Sequence, residues 1–220
     1  MSVLRTMLLA GSENAWLRQQ ATRRRFVRRA VSRFMPGESV EEALNAAREL
    51  QTRGFGTIVT NLGENVRDRA EANAEVEHYA GVIRAVQDAG LDAEISVKLT
   101  HLGLDLDPAF ADHNLARICE MAKPLPGRVW VDMEGSAYTE RTIEAYRRAR
   151  RGFDNVGLAL QSYLRRTAAD LASLLPDGPA IRLVKGAYNE PASIAFEKMS
   201  EVNESFFSLT CALMSDEARK

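Results

Sequence analysis

From residue 54 onward the chain alternates between two hydrophobic patterns. Short apolar runs rich in β-branched residues predict strands at 57–60, 93–99, 128–133, 156–160 and 180–184. Between them, apolar residues spaced three or four apart predict helices at 66–90, 108–122, 137–151, 167–175 and 191–215. Gly54, Gly90, Gly127, Gly152 and Gly178 stand just before the strands, where helices end and the chain turns. An earlier helix at 40–52 follows the turn Met35-Pro36-Gly37-Glu38, with Ser39 as N-cap and Glu42 completing a capping box. The strand runs are almost continuously apolar, as parallel strands covered on both faces require. Strand alternating with helix implies parallel βα units in an α/β fold. Five such units fit an open doubly wound sheet, or the first five units of a (β/α)8 barrel, which takes about 250 residues. No GxGxxG follows the first strand and no GxxxxGK[ST] occurs, so nothing favours a Rossmann or P-loop reading.

Composition narrows the class. With 220 residues, 45% of them apolar, the chain can bury a large core and is not a disordered polymer. Its two cysteines, Cys119 and Cys211, imply no disulfide framework and read as buried small hydrophobes in a reducing compartment. The histidines (78, 101 and 113) are scattered, so no metal site is expected. No apolar run approaches the roughly 20 residues of a membrane span. Net charge is −1, yet the first 35 residues hold eight arginines against one acid, Glu13. Such an arm suits a transit peptide, nucleic acid or a membrane surface. The spacing of Trp16, Phe26, Val27, Ala30, Val31 and Phe34 instead predicts an amphipathic helix packed on the body. The expected organisation is a helical arm at 1–53 and a partial barrel at 54–220.

Each predicted strand runs into polar residues: Thr60-Asn61-Leu62-Gly63-Glu64, Ser96 to His101, Asp132-Met133-Glu134, Gln161-Ser162, and Arg182 to Tyr188. The C-terminal ends of parallel strands face the active site in such folds. Lys98 and Asp132, on neighbouring strands, can pair, which lowers the cost of burying either charge. Lys98 can also receive an anion. Arg182 offers a planar fork of donors, Gln161 both a donor and an acceptor, and Gly186 close backbone approach. Together they suit a small anionic substrate beside a planar heterocycle, without naming a reaction. His101 reads as a rim residue, Tyr163 and Tyr188 as packing, Glu134 as a supporting group, and Trp130 as facing the helix layer. A Schiff-base lyase using Lys98 or Lys185 stays open, as does a non-catalytic structural or interaction module.

The runs SVKLTHLG (96–103), VDMEGS (131–136), VGLALQSYLRRT (156–167) and RLVKGAYNEP (182–191), with the opening RRRFVRRAVSRFMPGESVEEAL, resemble the proline dehydrogenase family. The resemblance implies a (β/α)8 barrel of the TIM type that oxidises L-proline to Δ1-pyrroline-5-carboxylate with FAD and passes electrons to quinone. It implies that Lys98 binds the proline carboxylate and that Asp132 is the acidic residue of the site. Met133, Leu160 and Gln161 would line the flavin, Arg182 would hydrogen-bond near its N5 edge, and Lys185, Gly186 and Ala187 would contact the cofactor. The protein's share would be positioning and electrostatics. A bacterial cytoplasmic protein is expected, with a possible peripheral contact at the inner membrane. No nucleic-acid partner is expected, since no helix-turn-helix or aromatic-interleaved basic stretch is present. Two departures stand out. Thr60-Asn61 precede Leu62-Gly63-Glu64 where the family commonly has an acid. The sequence stops at Lys220, before the family's last strands and its paired-arginine R-R-x-x-E helix that holds the carboxylate. The expectation is a truncated barrel with little or no proline oxidation by itself.

Overall fold

The computed structural model describes residues 39–215, so the basic arm and its apolar spacing lie outside the described residues. The chain divides into two units, one ending at Glu49 and one beginning at Leu50. The described part of the first opens helix α1 (Val40–Thr52). It carries the predicted capping box: the Glu42 N–H donates to Ser39 Oγ, and the Ser39 N–H donates to Glu42 Oε2, each at 3.2 Å.

The second unit runs β1 (Thr57–Thr60), α2 (Arg69–Asp88), β2 (Ala93–Val97), α3 (Pro108–Met121), β3 (Val129–Val131), α4 (Thr139–Arg150), β4 (Val156–Gln161), α5 (Thr167–Leu174), β5 (Ile181–Val184) and α6 (Met199–Met214). All four neighbouring pairs are parallel, and the spatial order of the strands is their order in the chain. That order separates the two sequence-level options. A doubly wound sheet reverses at a switch point, whereas this sheet progresses in one direction and curls into a half-barrel.

Local chemistry sets the helix starts. The Asp68 carboxylate accepts the N–H groups of Ala70 and Glu71 at 2.9 Å, which starts α2 at Arg69 rather than at 66. Asp107 caps α3 in the same way, with Pro108 in the first turn where no N–H is missed. Ile95, Val97, Val129, Val131, Leu158 and Leu160 fill one face of the sheet, and Val76, Ile83, Leu115, Ile118 and Ile143 come from the covering helices. Each is almost completely buried, and full burial of such a side chain stabilises by about 1.5–3 kcal/mol.

Two expectations are corrected. The last predicted helix begins at Met199, not 191. Residues 191–198 fold back instead, with an antiparallel bridge between Leu164 and Ala195. There the Phe196 N–H donates to the Tyr163 carbonyl at 2.8 Å, a long-range pairing that overrides local helical spacing. Cys119 is buried, and burial pushes its thiol up to about 12. Cys211 is exposed, because α6 turns Val202 and Leu209 inward and leaves position 211 on the other side. Among the described residues, no helix is long and apolar enough to cross a membrane.

Candidate active site

Strand alternation decides which residues meet. Ser96 lies opposite Trp130, Trp130 opposite Gly157, and Ala159 opposite Arg182. One face of the sheet therefore carries Glu94, Ser96, Trp130, Asp132, Gly157, Gln161 and Arg182, with Lys98 just beyond β2.

Asp132 is the hub of this face. Its Oδ1 accepts from Ser96 Oγ at 2.6 Å and from Arg182 Nη2. Its Oδ2 lies 3.5 Å from Lys98 Nζ. Arg182 Nη2 also donates to Ser96 Oγ at 3.3 Å. The Lys98, Asp132 and Arg182 side chains are 16%, 18% and 26% exposed, so the cluster is largely shielded. One carboxylate between two cations leaves one positive charge in excess, a ready place for an anion.

Among the described residues, two buried polar atoms on the same face have no partner: Gln161 Oε1 and Arg182 Nε. Gln161 Nε2 donates to the Met133 carbonyl at 2.8 Å, which fixes its amide. An acceptor and a donor thus stand near the carboxylate cluster.

The expected residues divide into those brought together and those kept apart. Lys98, Asp132, Gln161 and Arg182 share the face. Met133 is buried and reaches the group through its carbonyl. Leu160 is kept apart: one residue from Gln161, its side chain belongs to the opposite, helix-covered face and is 1% exposed. Lys185 turns out to α6, where its ammonium donates to Asn203 Oδ1 at 2.7 Å. Ala187 is exposed. Gly186 holds φ +107°, and a Cβ there would sit 2.1 Å from the Tyr163 ring, so only glycine fits. Trp130 is a correction. It lies on the face of Asp132, not toward the helices, and its ring centroid is 5.7 Å from the Arg182 guanidinium carbon. Ser96 was not anticipated, although its place two residues before Lys98 puts it on the same face.

The loops around this face are tied to one another. Tyr188 donates its hydroxyl to Glu64 Oε1 at 2.8 Å, joining the segment after β5 to the one after β1. Glu190 accepts the Ser136 N–H and O–H, both at 2.6 Å. Tyr163 packs with Leu164, Ala195 and Val202, and burial raises its hydroxyl to about 12. Where the family commonly has its strand-one acid, the Asn61 amide donates to both Glu75 oxygens at 3.0 and 2.9 Å. The ring of His101 lies 3.3 Å from Glu75 and directly against Gly63.

Glu134 accepts the Thr100 hydroxyl at 2.5 Å and the Thr100 N–H at 3.1 Å. Burial pushes its carboxyl above the ordinary range, the two Thr100 bonds oppose that, and the nearby Glu64 charge adds to it. The folded state therefore keeps a proton that the unfolded state loses. The Glu134 contribution to stability is full below the ordinary glutamate range and declines as pH rises through the folded value. Urea denaturation from about pH 4 to 7 should show wild type losing ground against Glu134→Gln as pH rises. Parallel curves for the two proteins would contradict this.

The chain is similar to known proteins over most of its length. The family model of proline dehydrogenase matches residues 43–199. Proline dehydrogenase 1 of Bacillus subtilis subsp. natto is 36% identical over 169 residues, covering 77% of this chain and 56% of that protein. The proline dehydrogenase of Deinococcus radiodurans is 34% identical over 181 residues, covering 80% and 58%. This chain thus spans little more than half the length of these relatives. Proline utilization A from Corynebacterium freiburgense superposes with a TM-score of 0.71 at 22% identity, over 97% of this chain and 24% of that one. The Bdellovibrio bacteriovorus protein, solved as inactivated by N-propargylglycine, gives 0.70 at 20% identity, over 81% and 23%. At these identities the structures speak for the fold.

Proposed function

Because the chain belongs to the proline dehydrogenase family, we propose that its half-barrel forms the face on which FAD and L-proline meet for oxidation to Δ1-pyrroline-5-carboxylate, with quinone as the final acceptor. The observation that carries this reading is the Lys98–Asp132–Arg182 cluster beside the unpartnered Gln161 Oε1 and Arg182 Nε. A flavin ring presents both N–H donors and carbonyl or ring-nitrogen acceptors along one edge, so it suits this pair of orphaned atoms. Gln161 and Arg182 would hold that edge, and Gly186 would let backbone approach it. When bound, the flavin supplies two-electron acceptance.

The remaining work falls to the side chains. Lys98 binds the proline carboxylate, which takes up the cluster's excess positive charge. Asp132 keeps Lys98 and Arg182 from repelling one another and fixes their separation. Ser96 holds Asp132 Oδ1 in place from below. The Tyr188–Glu64 and Glu190–Ser136 bonds draw the loop after β5 toward its neighbours and limit water entry.

A Schiff-base lyase has no such support. Lys98 is engaged by Asp132 and Lys185 by Asn203, so neither amine stands alone in an apolar pocket. The fused proposal is tested by a visible spectrum of the purified protein before and after anaerobic L-proline. A bound-flavin band that proline bleaches only slowly, in keeping with the little or no proline oxidation expected of a partial barrel, is the expected result. A protein that stays colourless with added FAD would overturn the reading for this chain.

A further inference from the structure

Trp130 is the largest side chain on the inner face, and it is held at its edge. Its indole N–H donates to Glu94 Oε2 at 2.6 Å. The other Glu94 oxygen accepts the Arg128 N–H at 3.0 Å. The ring cannot turn without leaving a half-buried carboxylate oxygen unpaired. Two glycines make room for this pair. A Cβ at Gly157, opposite Trp130 in register, would sit 2.5 Å from the ring, and one at Gly127 would sit 2.4 Å from Glu94 Cγ.

Arg182 lies over this ring, its guanidinium carbon 5.7 Å from the centroid, within cation–π range. Among the described residues, the guanidinium is bound to Asp132 through Nη2 alone, and its buried Nε has no acceptor. That is an unusual arrangement, because an arginine beside a carboxylate prefers two parallel bonds. An aromatic face accepts a cationic N–H without an oxygen and so offsets the missing bond.

We propose that Trp130 is a positioning residue for Arg182. The Glu94-anchored indole holds the guanidinium in its one-armed pose and stops it from folding onto Asp132 as a two-bonded pair. The donors that would be consumed in that pair stay available on the inner face. The catalytic consequence rests on the flavin reading above; the positioning itself does not.

The direct test is the Arg182 Nε–H resonance of the 15N-labelled protein, identified by its loss in Arg182→Lys. In wild type it lies upfield, shifted by the indole ring current. In Trp130→Leu it should move downfield, through loss of the ring current and gain of a bond to Asp132. Trp130→Phe keeps an aromatic face without the Glu94 anchor and should move less than Trp130→Leu. An unmoved resonance in Trp130→Leu, or an equal movement in both variants, would overturn the proposal. Should Trp130→Leu fail to fold, Glu94→Gln carries the same test. It leaves one of the two N–H donors without an acceptor, so a downfield shift is expected and an unshifted resonance overturns the idea. With flavin and L-proline, Trp130→Leu should lower kcat about tenfold with KM held within about twofold, and Trp130→Phe should recover most of the loss. Equal kcat in wild type and Trp130→Leu would overturn the catalytic role. A protein that binds no flavin would instead defeat the functional reading and leave the resonance test standing.

Discussion

Asp132→Ala should destabilise the protein by about 3–5 kcal/mol and abolish flavin reduction by L-proline. The reason is the geometry of the hub. Lys98 and Arg182 are both largely shielded and both lean on this one carboxylate. Removing it leaves two like charges facing each other, and Ser96 Oγ loses its acceptor at 2.6 Å. Asp132→Asn keeps the volume and one acceptor oxygen, so it should fall between wild type and alanine. Because part of the loss is like-charge repulsion, added salt should recover some of it. Urea denaturation at low and high salt measures both effects. An alanine variant within about 1 kcal/mol of wild type would show that the cations are solvated well enough to need no partner.

Gly186→Ala should be the second large effect, for a different reason. The residue holds φ +107°, which costs a side-chain-bearing residue about 1–3 kcal/mol. The new methyl would also lie 2.1 Å from the ring of Tyr163, and overpacking of that kind costs about a further 1–3 kcal/mol. Tyr163 is only 7% exposed and packed among Leu164, Ala195 and Val202, so its ring has little room to yield. The two contributions separate in a double-mutant cycle. Tyr163→Ala should relieve the overlap in the Gly186→Ala background and leave the backbone strain, giving a coupling of about 1–3 kcal/mol. Strictly additive effects would mean that the tyrosine swings aside freely.

The strands and the face shared by most of the candidate site could be read from residue types, because period-two alternation places every second residue on one face; the spatial order of the strands could not, since the pattern fits a doubly wound sheet as well as a barrel. Lys98, Asp132, Gln161 and Arg182 satisfy that alternation, and the structure brings them to the same side of the sheet. The same rule, applied strictly, would have placed Ser96 with Lys98, Trp130 with Asp132, and Leu160 on the far side. The reading of Trp130 as facing the helix layer departs from that rule. What no local pattern reveals is the reason it fits: Gly157 stands 27 positions later, and the pairing that brings it under the ring is a property of the sheet. Residues 191–198 and Lys185 are of the same kind. Helical spacing suggests a continuous helix over 191–215, but the Phe196 N–H donates to the Tyr163 carbonyl and the Arg165 N–H to the Ile194 carbonyl, which hold that segment out of the helix.

A sheet whose spatial order repeats its chain order has a consequence for synthesis. Each strand after β1 leaves the ribosome to find its neighbour already made, while the outer edge of β1 stays unpaired among the described residues. The charged cluster does not share this property. Arg182 lies 50 residues beyond Asp132, an interval of about 3–10 s at ordinary elongation rates. Throughout that interval Lys98 alone faces the aspartate and the nascent cluster is neutral. The excess positive charge of the cluster therefore arises only when the fifth strand docks.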